Sequence, residues 1–289
     1  MIRIDCRGVS TDDLANSAEI RAAYDCFVKY GYAILEHVVP EDRIRALLAE
    51  FNDRYAQYLR DQEAADSLEV GGRRFMFPLF LSGGFGDPLV YANPFVVALV
   101  RSLLDTDAIL EAFGAIASLS GSEAQHIHRD GPHLFSSEIS TLLPAHALTF
   151  ALPLVEMNDI CGTTALWPGS HRWKNMNNEI APEIPTIRPG SCLLWDFRLY
   201  HRGTENRSGH PRPMVYATYA KRWYQDPVNF KKETMQRLVF DPGFVHHHRR
   251  RGRRGPLLCR RQELRAQRPV GRGQPRLVHA VGTSVERAE

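Results

Sequence analysis

The stretch Ser122-Glu123-Ala124-Gln125-His126-Ile127-His128-Arg129-Asp130 reads as a strand that ends in a His-x-Asp pair. Side chains alternate faces along a strand, so His128 and Asp130 project the same way, an imidazole beside a carboxylate. Two such ligands and one further histidine make a 2-His-1-carboxylate triad, which leaves positions on a metal open for a chelating cosubstrate and dioxygen. Alone the pattern is weak, arising by chance in roughly one chain in three of this length at average composition. His126 shares the same face, so a His126/His128 pair is a rival ligand set, and His133 is close by. The best candidate for the third ligand is His201, in Trp195-Asp196-Phe197-Arg198-Leu199-Tyr200-His201, just past a strand that follows the Pro189-Gly190 turn. Further on stands Arg212, a planar fork suited to bidentate pairing with a carboxylate, with Arg202 and Arg207 as rivals for that task.

Working outward, the chain from about Ile116 consists of short apolar runs cut by turn residues. Strands are expected at 122–129, 147–154, 164–167, 191–195 and 214–223, separated by clusters such as Pro168-Gly169-Ser170. Short strands with long excursions suggest an all-β barrel or jelly roll. Upstream, Ile20, Ala23, Phe27 and Val28 form a helical stripe over 17–30, and Gly31 breaks it before a strand at 32–39. Pro40-Glu41-Asp42 opens a second helix, with acids where the helix dipole favours them and Ile44, Leu47, Leu48 and Phe51 on one face. Residues 71–88, rich in Gly and Phe, read as a loop, and 95–104 as a buried helix. Phe75, Phe77, Phe80 and Phe85 either line a lid over an apolar substrate or pack in the core.

The expected organisation is one domain over 1–245, helical over about 1–115 and β over about 116–225, followed by a tail at 246–289. With 44% hydrophobic and 24% charged residues in 289, the composition is that of a globular protein with a substantial core. Five scattered cysteines without a Cys-x-x-Cys pair argue against a disulfide framework or a thiolate zinc site. No apolar run reaches the length of a membrane span, and the N-terminal residues lack the apolar segment of a secretory signal, so a cytoplasmic location is expected. The net charge of +3 averages two unlike regions. Residues 249–289 hold 12 Arg, no Lys and 3 Glu, leaving 24 basic against 30 acidic residues in the rest. That acidic body gives no electrostatic reason to expect nucleic acid as its partner.

Together these features resemble the phytanoyl-CoA dioxygenase family of iron(II)/2-oxoglutarate oxygenases, over roughly residues 20 to 225. Phe27-x-x-x-Gly31-Tyr32-x-x-Leu35 is similar to the family's entry from helix to strand, and Gln125-x-x-His128-x-Asp130 to its first metal motif. Gly162-x-Thr164-x-x-x-Pro168-Gly169-Ser170-His171 resembles its most distinctive signature, and His201 with Asn206-Arg207-Ser208 and Arg212 its closing element. Cys161 departs from the Asn the family often has there. The resemblance implies a double-stranded β-helix (jelly-roll) core with N-terminal and flanking helices. It implies Fe(II) on His128, Asp130 and His201, and 2-oxoglutarate anchored by Arg212 with Gln125 and Thr164 as further contacts. With O2, such a site oxidises a C–H bond of a small molecule and releases succinate and CO2. Gln125 needs a bulge or bend, since position i−3 on a straight strand faces away from His128. His171 is expected to fix a loop rather than bind metal, and Arg129 to point away from it. Halogenases of this kind lack the carboxylate ligand, so Asp130 argues against halogenation, while desaturation, epimerisation and ring closure share the triad. The alternative from another class is a catalytically inactive β-barrel that binds a ligand. The sequence carries no signal of oligomeric state.

The tail has neither aromatic residues nor periodicity and cannot bury enough apolar surface to offset its ordering entropy. It is expected to be disordered, a basic arm being the other reading. Its exclusive use of Arg beside Gly, Pro and Ala also resembles a GC-rich reading frame translated out of phase. Resequencing the gene tests this: an in-frame gene that encodes the same tail contradicts it.

Overall fold

A computed structural model describes residues 2–59, 67–229, 237–240 and 258–259. The N-terminal segment runs from strand β1 (Arg3–Asp5) into helix α1 (Ala18–Tyr30), strand β2 (Tyr32–Glu36) and helix α2 (Glu41–Arg54). Ser17 caps α1 by accepting the Ile20 amide at 3.1 Å, and Gly31 ends it in the left-handed region at φ 83°. There follow β3 (Leu68–Gly71), β4 (Arg74–Pro78), β5 (Phe80–Leu81), α3 (Pro88–Tyr91), α4 (Pro94–Leu104) and β6 (Ile109–Ser118). The remainder is β: β7 (Ala147–Pro153), β8 (Thr164–Leu166), β9 (Cys192–Asp196), β10 (His201–Gly203), β11 (Arg212–Ala220), β12 (Val239–Phe240) and β13 (Leu258–Cys259).

The main sheet has the order β1-β2-β9-β7-β11-β6-β4-β3, with β13 beside the start of β6, and is antiparallel except at β1–β2 and β13–β6. A second, shorter layer is built on the antiparallel pair β8–β10. Single bridges widen it on both sides, His128 to His201 and Leu166 to Glu183. The two layers make a double-stranded β-helix. Residues of β11 split by parity between its two faces, as the pleat requires. Val215, Ala217 and Tyr219 pack in the large core with α1, α2 and α4, whereas Arg212, Met214, Tyr216 and Thr218 face the cavity between the layers.

Three sequence expectations change here. Residues 122–129 do not form a regular strand: only His128 bridges β10, because that neighbour is three residues long. Strands begin well before Ile116, at β4 inside the expected loop and at β6 inside the expected helical part. Both faces of β6 are covered, so its apolar run shows no alternation, and Gly114 lets β4 approach closely. A Cβ on Gly114 would lie 2.5 Å from the Phe77 carbonyl oxygen. Finally, Phe75, Phe77 and Phe85 are core residues, Phe77 stacking on Tyr58 at 4.3 Å, and none of them forms a lid. Trp223, beyond the end of β11, is by contrast 62% exposed. The Arg-rich tail lies outside the described residues apart from β13. Among the described residues no helix is long and apolar enough to cross a membrane.

Gly31 joins two of the sequence motifs physically. Its Cα abuts the buried His171 ring of the Pro-Gly-Ser-His turn, and a Cβ there would meet His171 Nδ1 at 2.5 Å. Gly31→Ala therefore combines left-handed strain with a clash and costs about 1–3 kcal/mol of stability. Gly209→Ala, with nothing within 4 Å of the added carbon, stays within about 0.5 kcal/mol of the parent. Denaturant midpoints of the two variants check this.

Candidate metal and cosubstrate site

His128, Asp130 and His201 converge, each offering a ligand atom within 4.8 Å of the others. The backbone makes this meeting: His128 N donates to His201 O at 3.0 Å and His201 N to His128 O at 2.9 Å. The two rings lie with centroids 4.4 Å apart. Each imidazole places Nδ1 against the carbonyl two residues earlier, His126 O at 2.9 Å and Leu199 O at 3.0 Å. A carbonyl only accepts, so Nδ1 carries the proton and Nε2 presents its lone pair to the centre. Asp130 Oδ1 lies 3.4 Å from His201 Nε2.

The rivals resolve by position. His126 is exposed and contributes its carbonyl rather than its ring, and His133 Nε2 meets Trp173 O. His171 is buried away from the cavity lining, hydrogen-bonded to the backbone of Val28. Arg129 points away from the cluster, its guanidinium 4.0 Å from the Tyr200 ring centroid and bonded to Trp173 O. Arg207 is turned out to Asp159 O, whereas Arg212 is buried on the cavity wall.

Arg212 Nη2 donates to Ser118 Oγ at 2.7 Å, while its buried Nε and Nη1 have no protein partner. Arg74, a residue the sequence did not single out, donates Nε to the same Ser118 Oγ at 2.7 Å and lines the same cavity. Burial pulls Arg74 down to about 9, with Arg212 adding to the shift, and burial pulls Arg212 down to about 10. Among the described residues neither guanidinium meets a carboxylate, so the pair presents an uncompensated cationic wall to an anion. Thr164 also lines the cavity, on β8. Gln125 reaches it because its segment is irregular, but its amide is committed, accepting from Gly203 N at 2.8 Å and donating to Val70 O. Sequence reasoning also passed over Asn229, whose Nδ2 donates to the Asp130 carbonyl at 2.8 Å, and Asp226 beside it on the cavity wall. Both follow β11 without any periodic signal.

The donor set fits iron(II): two imidazole nitrogens and one carboxylate oxygen grouped on one side, with the open side toward the cavity. The orphaned Arg212 donors fit the far carboxylate of a chelating diacid. Electrostatically the cluster is poised. Burial holds His128 down to about 4, with His201 adding to the shift. Burial alone would raise Asp130, but His201 and His128 outweigh it and hold the carboxyl well below its usual range. Burial opposes protonation of His201, yet Asp130 wins and raises it.

Similarity to known proteins agrees with this geometry. The family described as "Phytanoyl-CoA dioxygenase (PhyH)" matches residues 27–214. Dioxygenase trt7 of Aspergillus terreus is 33% identical over 110 residues, 37% of this chain and 38% of that protein. The match thus spans little more than a third of that relative's length. Dioxygenase olcK of Penicillium canescens is 24% identical over 221 residues, 71% of this chain and 73% of that protein. Among solved structures, the epimerase SnoN in complex with Fe3+, alpha ketoglutarate and nogalamycin RO superposes with a TM-score of 0.55 at 18% identity. It covers 71% of this chain and 84% of that one, a likeness of fold.

In the apoprotein His201 is the candidate ligand that holds a proton more tightly than an ordinary imidazole, because Asp130 raises it, whereas burial holds His128 down to about 4. A metal must displace that proton. Affinity for Co(II) or Mn(II) is therefore expected to fall as pH drops through the raised His201 value, with about one proton released per ion. Calorimetry in buffers of different ionisation enthalpy measures it. His126→Ala should leave affinity unchanged; pH-independent binding between about pH 6 and 8 contradicts the coupling.

Proposed function

The chain belongs to the phytanoyl-CoA dioxygenase family, and on that footing we propose that it is an iron(II)- and 2-oxoglutarate-dependent dioxygenase acting on a small molecule. One observation carries the reading: a cavity that joins the His128, Asp130, His201 cluster to two buried arginines lacking any carboxylate partner among the described residues. His128, Asp130 and His201 would hold the iron, and Arg212 the distal carboxylate of 2-oxoglutarate, with Arg74, Thr164 and Gln125 shaping that end. Bound iron with 2-oxoglutarate and O2 supplies the oxidising chemistry, hydroxylating an unactivated C–H bond as succinate and CO2 form.

The protein's own contribution is placement. Arg212 offers Nε and Nη1 as a fork in a site shielded from water, where a charge-assisted pair is strong. The fixed Nδ1 protons of both histidines keep Nε2 aimed inward. The cavity is also lined by Met76, Ile116, Phe197, Tyr216, Thr218 and Asp226, which supports a substrate with an apolar body and polar groups. SnoN, named an epimerase, supports a second outcome, epimerisation on the same frame. Desaturation and ring closure need the same ligands. An inactive binding barrel fits less well, since every ligand position is filled by a competent residue. A single domain over 1–245 in the cytoplasm, without nucleic acid as partner, completes the reading.

Anaerobic reconstitution with iron(II), followed by 2-oxoglutarate and a metabolite extract in air, is expected to yield succinate. Asp130→Ala and His201→Ala should abolish it, and His126→Ala should retain it. Arg212→Ala should raise the KM for 2-oxoglutarate at least about 30-fold, since a buried charge loses its partner. Unchanged turnover in Asp130→Ala or His201→Ala contradicts the assignment.

A further inference from the structure

Asp130 is the ligand with a choice, because a carboxylate ligates through one oxygen or through both. Two-oxygen ligation would occupy a further position on the ion, at the expense of those that a chelating cosubstrate and dioxygen need. The protein acts on this choice. Asp130 Oδ2 accepts a hydrogen bond from Trp195 Nε1 at 2.8 Å and another from Thr149 Oγ1. An ionised carboxylate has about four lone-pair sites, two on each oxygen, so these donors fill Oδ2 and leave Oδ1 free toward the cluster. The donors are a matched pair: Thr149 on β7 and Trp195 on β9 are directly opposite in the sheet register, so their side chains leave the same face together. Both stand on inner strands of the main sheet and are buried. Asn229 meanwhile fixes the Asp130 backbone through its carbonyl.

We infer that Trp195 and Thr149 are positioning residues that confine Asp130 to one-oxygen ligation and so keep the coordination position that the cosubstrate requires. The inference rests on the reading of His128, Asp130 and His201 as an iron site. It separates two quantities that a merely structural pair would move together, metal affinity and cosubstrate affinity. Without the donors, Oδ2 turns to the ion, the metal stays bound, and 2-oxoglutarate loses a place.

The test uses Thr149→Val, Trp195→Phe and, as the variant that keeps the hydroxyl donor, Thr149→Ser. Under anaerobic conditions each is titrated calorimetrically with iron(II), and the loaded protein then with 2-oxoglutarate. The expected result for Thr149→Val and Trp195→Phe is iron affinity within a few-fold of the parent and cosubstrate affinity about 10–100-fold weaker, the usual reach of an outer partner of a ligand. Thr149→Ser should match the parent. The proposal is overturned if Val and Phe variants bind both partners as the parent does. It is overturned equally if iron and cosubstrate affinity fall in parallel with the melting temperature, or if Thr149→Ser behaves like Thr149→Val. A parent protein that takes up no iron defeats instead the reading of the cluster as a metal site, and that outcome appears in the first titration, before any variant is compared.

Discussion

The pair of backbone hydrogen bonds between His128 and His201, at 3.0 and 2.9 Å, joins two segments that share no regular strand long enough to align them. Their consequences spread outward. The bridge sets the 4.4 Å ring separation and puts Asp130, two positions on, beside the same centre. It also brings Arg129 over the Tyr200 ring on the opposite side, so a cation–π contact between the neighbours of the ligands reinforces the join. Gly203 N, further along β10, accepts no choice of partner either: it donates to Gln125 Oε1, and Gln125 ties on to Val70. The short second layer of the β-helix is thus organised around the site rather than merely adjacent to it.

Charge is the second constraint. Arg74 and Arg212 are both buried and share one hydroxyl acceptor in Ser118; burial pulls both down, and Arg212 adds to the shift of Arg74. Burying a charge without a partner is costly. Arg74 offsets part of that cost through the carbonyls of Gly203 and Thr204, whereas Arg212 keeps Nε and Nη1 open to the cavity, where an anion would lower it. Asp130 answers the opposite problem. It is the carboxylate of the cluster, surrounded by imidazoles and by the Thr149 and Trp195 donors, and these keep it ionised and oriented.

Much of this was legible in the sequence because it is written locally. His-x-Asp on an extended segment, the Pro-Gly-Ser-His turn and the trailing His201 and Arg212 each occupy a few consecutive positions, and their order marks the fold. The helices α1 and α2 were legible for the same reason, their apolar stripes having one exposed side to contrast with, and α4 as a continuous apolar run behind Pro94. What escaped is what depends on register or on two covered faces. β6 has no alternation to read because helices cover one side and the cavity the other. Arg74 was indistinguishable from Arg73 until β4 was placed, since one residue of offset decides which of the two enters the cavity. Thr149 and Trp195 are ordinary strand residues until β7 and β9 are set side by side. The irregular path of 122–129 follows from a partner strand too short to straighten it, and it is this irregularity that lets Gln125 face the cavity.

A crystal structure grown anaerobically with iron(II) and 2-oxoglutarate bears most directly on the central claim. The account predicts the ion between Nε2 of His128, Nε2 of His201 and Oδ1 of Asp130, with the far carboxylate of the cosubstrate on Nε and Nη1 of Arg212. An ion ligated by His126, or a cosubstrate whose carboxylate lies away from Arg212, would contradict it.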